Sequence, residues 1–271
     1  MFDVDQREHV RAQLLTLAEA DPDVLGAAIT GSEAVGAGDR WSDIDLAFAI
    51  KGGLGPALTR WTETLYKEFA AQHHWDLPSG STIYRVFLLP AWLEVDIAFT
   101  PADDFGPLGP TWRTVFGQTA QLEPADAPAS DHLVGLAWHH ALHARVCIER
   151  RRSWQAEHWI SAVRDQVIAL ACLRLGHPTS YAKGAHLLPH ELTGPLETTL
   201  VRSLDEAELR RALEAVVASL GRELELTDPA LAARLEPMLT ELTRSGGRAP
   251  GHRHAQCRST RTTYGQGRPI R

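Results

Sequence analysis

Residues 43–50, DIDLAFAI, place two carboxylates one residue apart at the head of an apolar run. Side chains alternate across a β-strand, so Ile44, Leu46, Phe48 and Ile50 would line one face, with Asp43, Asp45, Ala47 and Ala49 on the other. Like charges on one face repel, and burying such a pair without a cation costs several kcal/mol in order of magnitude. A strand built this way is expected to hold a cation through its oxygen atoms. Upstream, residues 24–30 form a short apolar, β-prone run that Gly31-Ser32 breaks, and a stretch rich in Gly and Ala leads on to Asp43.

Residues 93–99, LEVDIAF, follow the same pattern. Leu93, Val95, Ile97 and Phe99 would face one way, and Glu94, Asp96 and Ala98 the other. If this strand lies beside the first, Asp96 can join Asp43 and Asp45 in binding metal or can itself accept a proton, and Glu94 is a second candidate base.

In order and spacing, these pieces resemble the nucleotidyltransferase superfamily built on the DNA polymerase β palm. Its pattern is Gly-Ser, a spacer, Asp-hydrophobic-Asp on a strand, and a third carboxylate on a neighbouring strand. The resemblance implies an α+β fold in which a palm-like domain, a mixed sheet with flanking helices, precedes a C-terminal helical bundle. It implies transfer of AMP or another NMP from ATP or another NTP to a hydroxyl of a small molecule, with release of pyrophosphate. Asp43, Asp45 and Asp96 would bind two Mg²⁺ ions that clamp the attacking and leaving oxygens. Backbone N–H groups at Gly31 and Ser32 would suit phosphate oxygens, and the flanking Arg40 and Ser42 would touch the triphosphate.

Length and layout look like the aminoglycoside adenylyltransferases that act on streptomycin and spectinomycin. In those enzymes a helical domain closes over the nucleotide, and an Arg on one of its helices and a Lys in a K-x-x-A segment contact the phosphates. Residues 164–170, RDQVIAL, and 181–185, YAKGA, resemble those two segments, which carries the roles to Arg164 and Lys183. The implied acceptor is an aminoglycoside-type antibiotic.

At 271 residues, about two domains are expected. The proposed layout is 1–122 for the nucleotidyltransferase domain, 123–130 as a Pro- and Ala-rich linker, 131–244 for the helical domain and 245–271 as a disordered tail. The net charge is −7, and residues 245–271 carry six Arg and no acid, so the other 244 residues stand at −13 once those six charges are taken away. That balance disfavours nucleic acid as the main partner and suits a small cationic substrate. The acidic start without an apolar stretch, the absence of a run long enough to span a membrane, and three cysteines without metal-ligand spacing (Cys147, Cys172, Cys257) lead us to expect a reduced, cytoplasmic protein. The sequence leaves the oligomeric state open.

Along the chain, periodicity predicts helices over 6–20 and 57–74, a turn at 78–80, strands over 82–89 and 92–100, and one more strand within 112–122. Beyond residue 130, capped by Ser130 or Asp131, helices are expected at about 131–152, 154–175, 195–203, 205–224 and 228–243. Asp103 and Asp104 read as loop acids, and Trp92, Trp112 and Trp154 as candidates to stack a base or a sugar ring.

Three competing patterns are weaker. His139 and His143 share a helix face, but no Cys or acid completes a zinc set at a plausible spacing. Arg152 and His158 loosely resemble the ribonuclease motif of HEPN domains, a match that chance explains. The same catalytic core could also modify a protein or tRNA, as in toxin–antitoxin nucleotidyltransferases.

Overall fold

The alternation along 44–50 sets the first half of the fold. In the computed structural model, which describes residues 1–123 and 127–244, Ile44, Leu46, Phe48 and Ile50 are each 1 % exposed or less. The described part of Met1–Asp126, the first of two units into which the chain divides, contains α1 (Val4–Ala20), β1 (Val24–Thr30), α2 (Gly31–Ala34), β2 (Ile44–Ile50) and α3 (Leu54–Glu68). It continues with β3 (His73–Ser79), β4 (Thr82–Leu89), β5 (Leu93–Pro101) and β6 (Trp112–Phe116). The strands form one mixed sheet in the order β3-β4-β5-β2-β1-β6. β2 and β5 run parallel, and the remaining pairs are antiparallel.

One face of this sheet is apolar. Phe48, Val95, Ile97 and Phe99 pack there with Leu14 and Ala18 of α1 and with Trp61 and Leu65 of α3. The Phe48 and Trp61 rings lie 4.7 Å apart. Each of the aliphatic and Phe side chains larger than alanine contributes about 1.5–3 kcal/mol by leaving water. The other face is lined by Ala28, Ala47, Ala49 and Ala98, residues too small to fill it, with Phe105 packed against them. The two faces therefore do different work, and the carboxylates lie on the sparsely filled one.

The second unit, Ala127–Arg271, is helical where it is described: α4 (Ser130–Glu149), α5 (Ser153–Leu175), α6 (His190–Glu197), α7 (Glu206–Thr227) and α8 (Pro229–Thr243). Ala137, Ala141 and Ala144 of α4 are fully buried in its core with Ile160 and Val163 of α5 and Val216 and Leu220 of α7. Arg174 of α5 donates to both carboxylate oxygens of the buried Glu223 of α7, at 2.7 and 3.0 Å, so the one charge on that inner helix face is fully paired. Gly176, at φ +73°, ends α5 in the left-handed cap that glycine favours. No helix among the described residues is long and apolar enough to cross a membrane.

Several boundaries differ from the sequence expectation. The helix expected over 57–74 starts at Leu54 and stops at Glu68; Ala70 takes φ +55° and turns the chain into β3. β3 has no apolar alternation to reveal it because it is a largely exposed edge strand, paired with β4 from His73↔Leu88 to Ser79↔Thr82. Pro78 and Ser79 thus belong to the strand, and the turn falls at Gly80. Ala129, not Ser130 or Asp131, is the N-cap of α4, and no side chain caps it. The helix expected at 195–203 lies earlier, at 190–197, with Pro195 inside it. The following segment is held open instead, Arg211 donating to the carbonyls of Thr198 and Leu200. The proposed tail 245–271, Cys257 and part of the proposed linker fall outside the described residues.

Candidate active site

Asp45 and Asp96 are Cα partners on the parallel strands β2 and β5. Asp43 lies one residue before β2, and Glu94 lies two residues before Asp96 on the same face of β5. The expectation that the second acidic strand lies beside the first therefore holds, and four carboxylates share one end of one face. Glu94 is exposed and the three aspartates are partly buried.

The electrostatics of this cluster are unfavourable without a counter-charge. Asp96 is pushed up to about 6, first by burial and then by the fields of Asp43 and Glu94. Glu94 is raised too, by burial and by Asp43. The Oδ1 atom of Asp96 is buried and has no hydrogen-bond partner. A buried carboxylate oxygen left unpaired costs free energy that a cation or a proton can return.

Gly31 is required where it stands. It has φ +66°, and a Cβ there would overlap the Asp45 carboxylate, so both the conformation and the close approach select glycine. α2 begins at this residue, and Ser32 follows it with its Oγ 3.2 Å from the Ser42 Oγ. Ser42 Oγ also accepts the Asp39 N–H at 2.9 Å. Gly31, Ser32 and Ser42 are thereby drawn to the head of β2, next to Asp43 and Asp45.

Arg7 organises this loop and was not legible as a site residue. It is only 4 % exposed. Its Nη1 donates to the carbonyl oxygens of Asp39 and Ser42, 2.5 and 3.0 Å away. Its Nη2 lies 2.9 Å from Glu33 of α2, which Arg11 also meets at 3.2 Å. One side chain of α1 thus ties α2 to the segment that delivers Asp43 and Asp45. The only sequence hint is an arginine on the inward side of an amphipathic helix.

Arg40 stacks over its neighbour Trp41, 4.0 Å from the ring centroid. Arg164 and Lys183 belong to the helical unit. Arg164 donates to Thr199 and, at 2.9 Å, to Ser161 Oγ rather than to an acid. Lys183 is exposed, just after Tyr181 and Ala182 in left-handed conformations. His139 and His143 meet edge to face at 4.3 Å and His143 packs on Trp159.

Among the described residues no three His, Cys, Asp or Glu side chains are gathered into a metal cage. The aspartates likewise form no closed cage by themselves. Mg²⁺ usually takes one or two carboxylates and completes its shell with phosphate oxygens and water, so an open, all-oxygen set with an unpaired Asp96 oxygen fits that ion.

No protein-family model and no curated protein matches the chain. Among solved structures, it is similar to an aminoglycoside 6-adenyltransferase from Bacillus subtilis, with 11% identity and a TM-score of 0.41 over 86% of this chain and 96% of that one. It is also similar to the polymerase core of TRAMP, an RNA surveillance complex, with 14% identity and a TM-score of 0.27 over 82% of this chain and 58% of that one. With both TM-scores under 0.5, these superpositions are too loose to bear on chemistry.

Proposed function

We propose that the protein is a Mg²⁺-dependent nucleotidyltransferase that moves AMP, or another NMP, from an NTP to a hydroxyl of a small molecule and releases pyrophosphate. The observation that carries this reading is the pairing of Asp45 with Asp96 across β2 and β5, with Asp43 and Gly31 beside them. Paired parallel strands hold the two carboxylates in fixed register, which is what positioning catalysis needs.

Asp43 and Asp45 would hold the metal, joined by Asp96. When bound, Mg²⁺ would neutralise charge on the phosphates and on the attacking oxygen. The chain's own groups do the rest. Ser32 and Ser42, facing each other across 3.2 Å, offer hydroxyl donors to triphosphate oxygens, and Gly31 lets the backbone approach. Asp96, whose affinity for protons is raised, is suited to take the proton of the acceptor hydroxyl, and Glu94 is the neighbouring alternative. Arg40, Arg164 and Lys183 are the cations that the resemblance offers to the triphosphate. The acidic body favours a cationic acceptor, the chemical class that includes aminoglycosides.

The test is pyrophosphate release by the full chain with Mg²⁺, each of ATP, GTP, CTP and UTP, and a panel of hydroxylated and aminated small molecules, with adducts identified by mass. An adduct that disappears in Asp45→Asn supports the reading. Undiminished adduct formation by a folded Asp45→Asn protein overturns it.

A further inference from the structure

The helical unit carries a groove of about 530 Å³ between α7 and α8, lined by no residue given a part in the reaction. Its floor is apolar, with Val217, Ala232 and Leu239 buried beneath it. It lies open at Gly221, where a Cβ would meet nothing within 4 Å. Three exposed glutamates rim this floor, Glu214 and Glu225 from α7 and Glu236 from α8. Glu206, Glu208 and Glu223 of α7 are paired with arginines. Glu214, Glu225 and Glu236 make no ion pair among the described residues.

The chain itself leads into this groove. α7 and α8 are joined through Asp228 alone, and α8 folds back along α7. Glu225 and Pro229 therefore stand at one end of the groove, and Glu214 and Thr243 at the other. Thr243 is the last residue of α8, so the chain leaves the helix at the mouth of the groove. Arg145 of α4 fixes that exit by donating to the carbonyl oxygens of Leu242 and Arg244. Residues 245–271 follow directly, with six Arg and no acid.

We propose that segment 245–271 docks in this groove of its own chain, its arginines pairing with Glu214, Glu225 and Glu236. Reach and spacing agree with the charges. α8, with its 15 residues, is about 22 Å long, a span that seven residues of extended chain cover. Gly246 and Gly247 suit the reversal that returns the chain along the helix. Glu214 and Glu225 lie three helical turns apart, about 16 Å. Arg248 and Arg253 lie about 17 Å apart on an extended chain, which sets one arginine against each glutamate. The arginine stems cover the apolar floor while their guanidinium groups meet the rim. Exposed ion pairs are weak one by one. Tethering raises the local concentration of the segment to the millimolar range, an advantage that a free cationic peptide or another copy lacks.

The experiment uses the full chain with a nitroxide on Cys257 and reads backbone amide signals by NMR. Cys147 and Cys172 are buried, which directs the thiol reagent to Cys257. The signals of Gly221 and Ala233 in the groove are expected to lose at least half their intensity relative to the reduced nitroxide. Intensity should return in the triple variant Glu214→Gln, Glu225→Gln, Glu236→Gln, whose exposed positions leave the helix packing intact, as the same spectra report. It should also return in about 1 M NaCl, where the Debye length is about 3 Å. Absence of broadening at the groove, or broadening that either the triple variant or the salt leaves unchanged, overturns the proposal. A mixture of nitroxide-bearing chain without isotope and isotope-enriched chain without nitroxide should show no broadening. Equal broadening in that mixture would assign the groove to the segment of another copy and overturn docking within one chain.

Discussion

Asp45 and Asp96 face each other as Cα partners on parallel strands, although 51 positions separate them in sequence. Burial first, and then the fields of Asp43 and Glu94, make the Asp96 charge costly in a fold selected only for stability. The Asp96→Asn variant should therefore be more stable than wild type at pH 7.5 and much less active. The sign follows from the raised proton affinity: Asp96 titrates near 6 when folded, against 3.8 as its ordinary value. Its stabilising contribution is complete below 3.8 and is lost as pH rises through about 6. Ionised Asp96 then costs on the order of 1–2 kcal/mol after discounting for solvent screening. Melting curves should show Asn ahead at pH 7.5 and the gap narrowing at pH 5, while turnover falls by roughly 10²–10⁴. A destabilised Asp96→Asn protein at pH 7.5 would count against the electrostatic account.

Mg²⁺ should stabilise the protein at pH 7.5 and do so far less at pH 5. A bound cation opposes the fields of Asp43 and Glu94 that raise Asp96, but it must compete with the proton once pH falls below about 6. Thermal midpoints with and without millimolar Mg²⁺ at the two pH values check this, with Ca²⁺ as a comparison.

Gly31→Ala should fold and lose turnover. The substitution meets both a left-handed backbone and the Asp45 carboxylate. Strain of about 1–2 kcal/mol is expected from the conformation alone. The larger effect is displacement of Asp45, which should lower kcat/KM by two orders of magnitude or so, given how steeply rate depends on placement.

Arg7→Ala should destabilise the first unit by about 3 kcal/mol, because it strips a buried side chain from two carbonyls and from Glu33. Arg7→Lys keeps the charge but not the planar fork, so nucleotide KM should rise even where urea unfolding shows most of the stability restored. Equal KM values for wild type and Arg7→Lys would limit Arg7 to a structural part.

Much of this was legible in the sequence. The period-two alternation of 43–50 and 93–99 gave the strands, their buried faces and the shared carboxylate face, because a sheet with one packed face must alternate. The site was less legible where its partners are remote or are backbone. Arg7 reaches carbonyl oxygens 32 and 35 residues away, and no side-chain pattern encodes a backbone acceptor. β3 was hidden for the opposite reason: an exposed edge strand needs no apolar face. Helix α6 was misplaced because Leu196, its one buried residue, supplies too little periodicity to fix the ends of so short a helix.

The central claim is that the α-phosphate and its nucleoside, not the terminal phosphate, are transferred by the Asp43, Asp45 and Asp96 face. The most direct measurement compares ATP labelled at the α-phosphorus with ATP labelled at the γ-phosphorus, using the full chain, Mg²⁺ and an accepted small molecule. The prediction is α-label on the acceptor, γ-label only in pyrophosphate, and neither transfer in Asp45→Asn. Label from the γ-phosphate on the acceptor, or α-label transfer that survives Asp45→Asn, would contradict it.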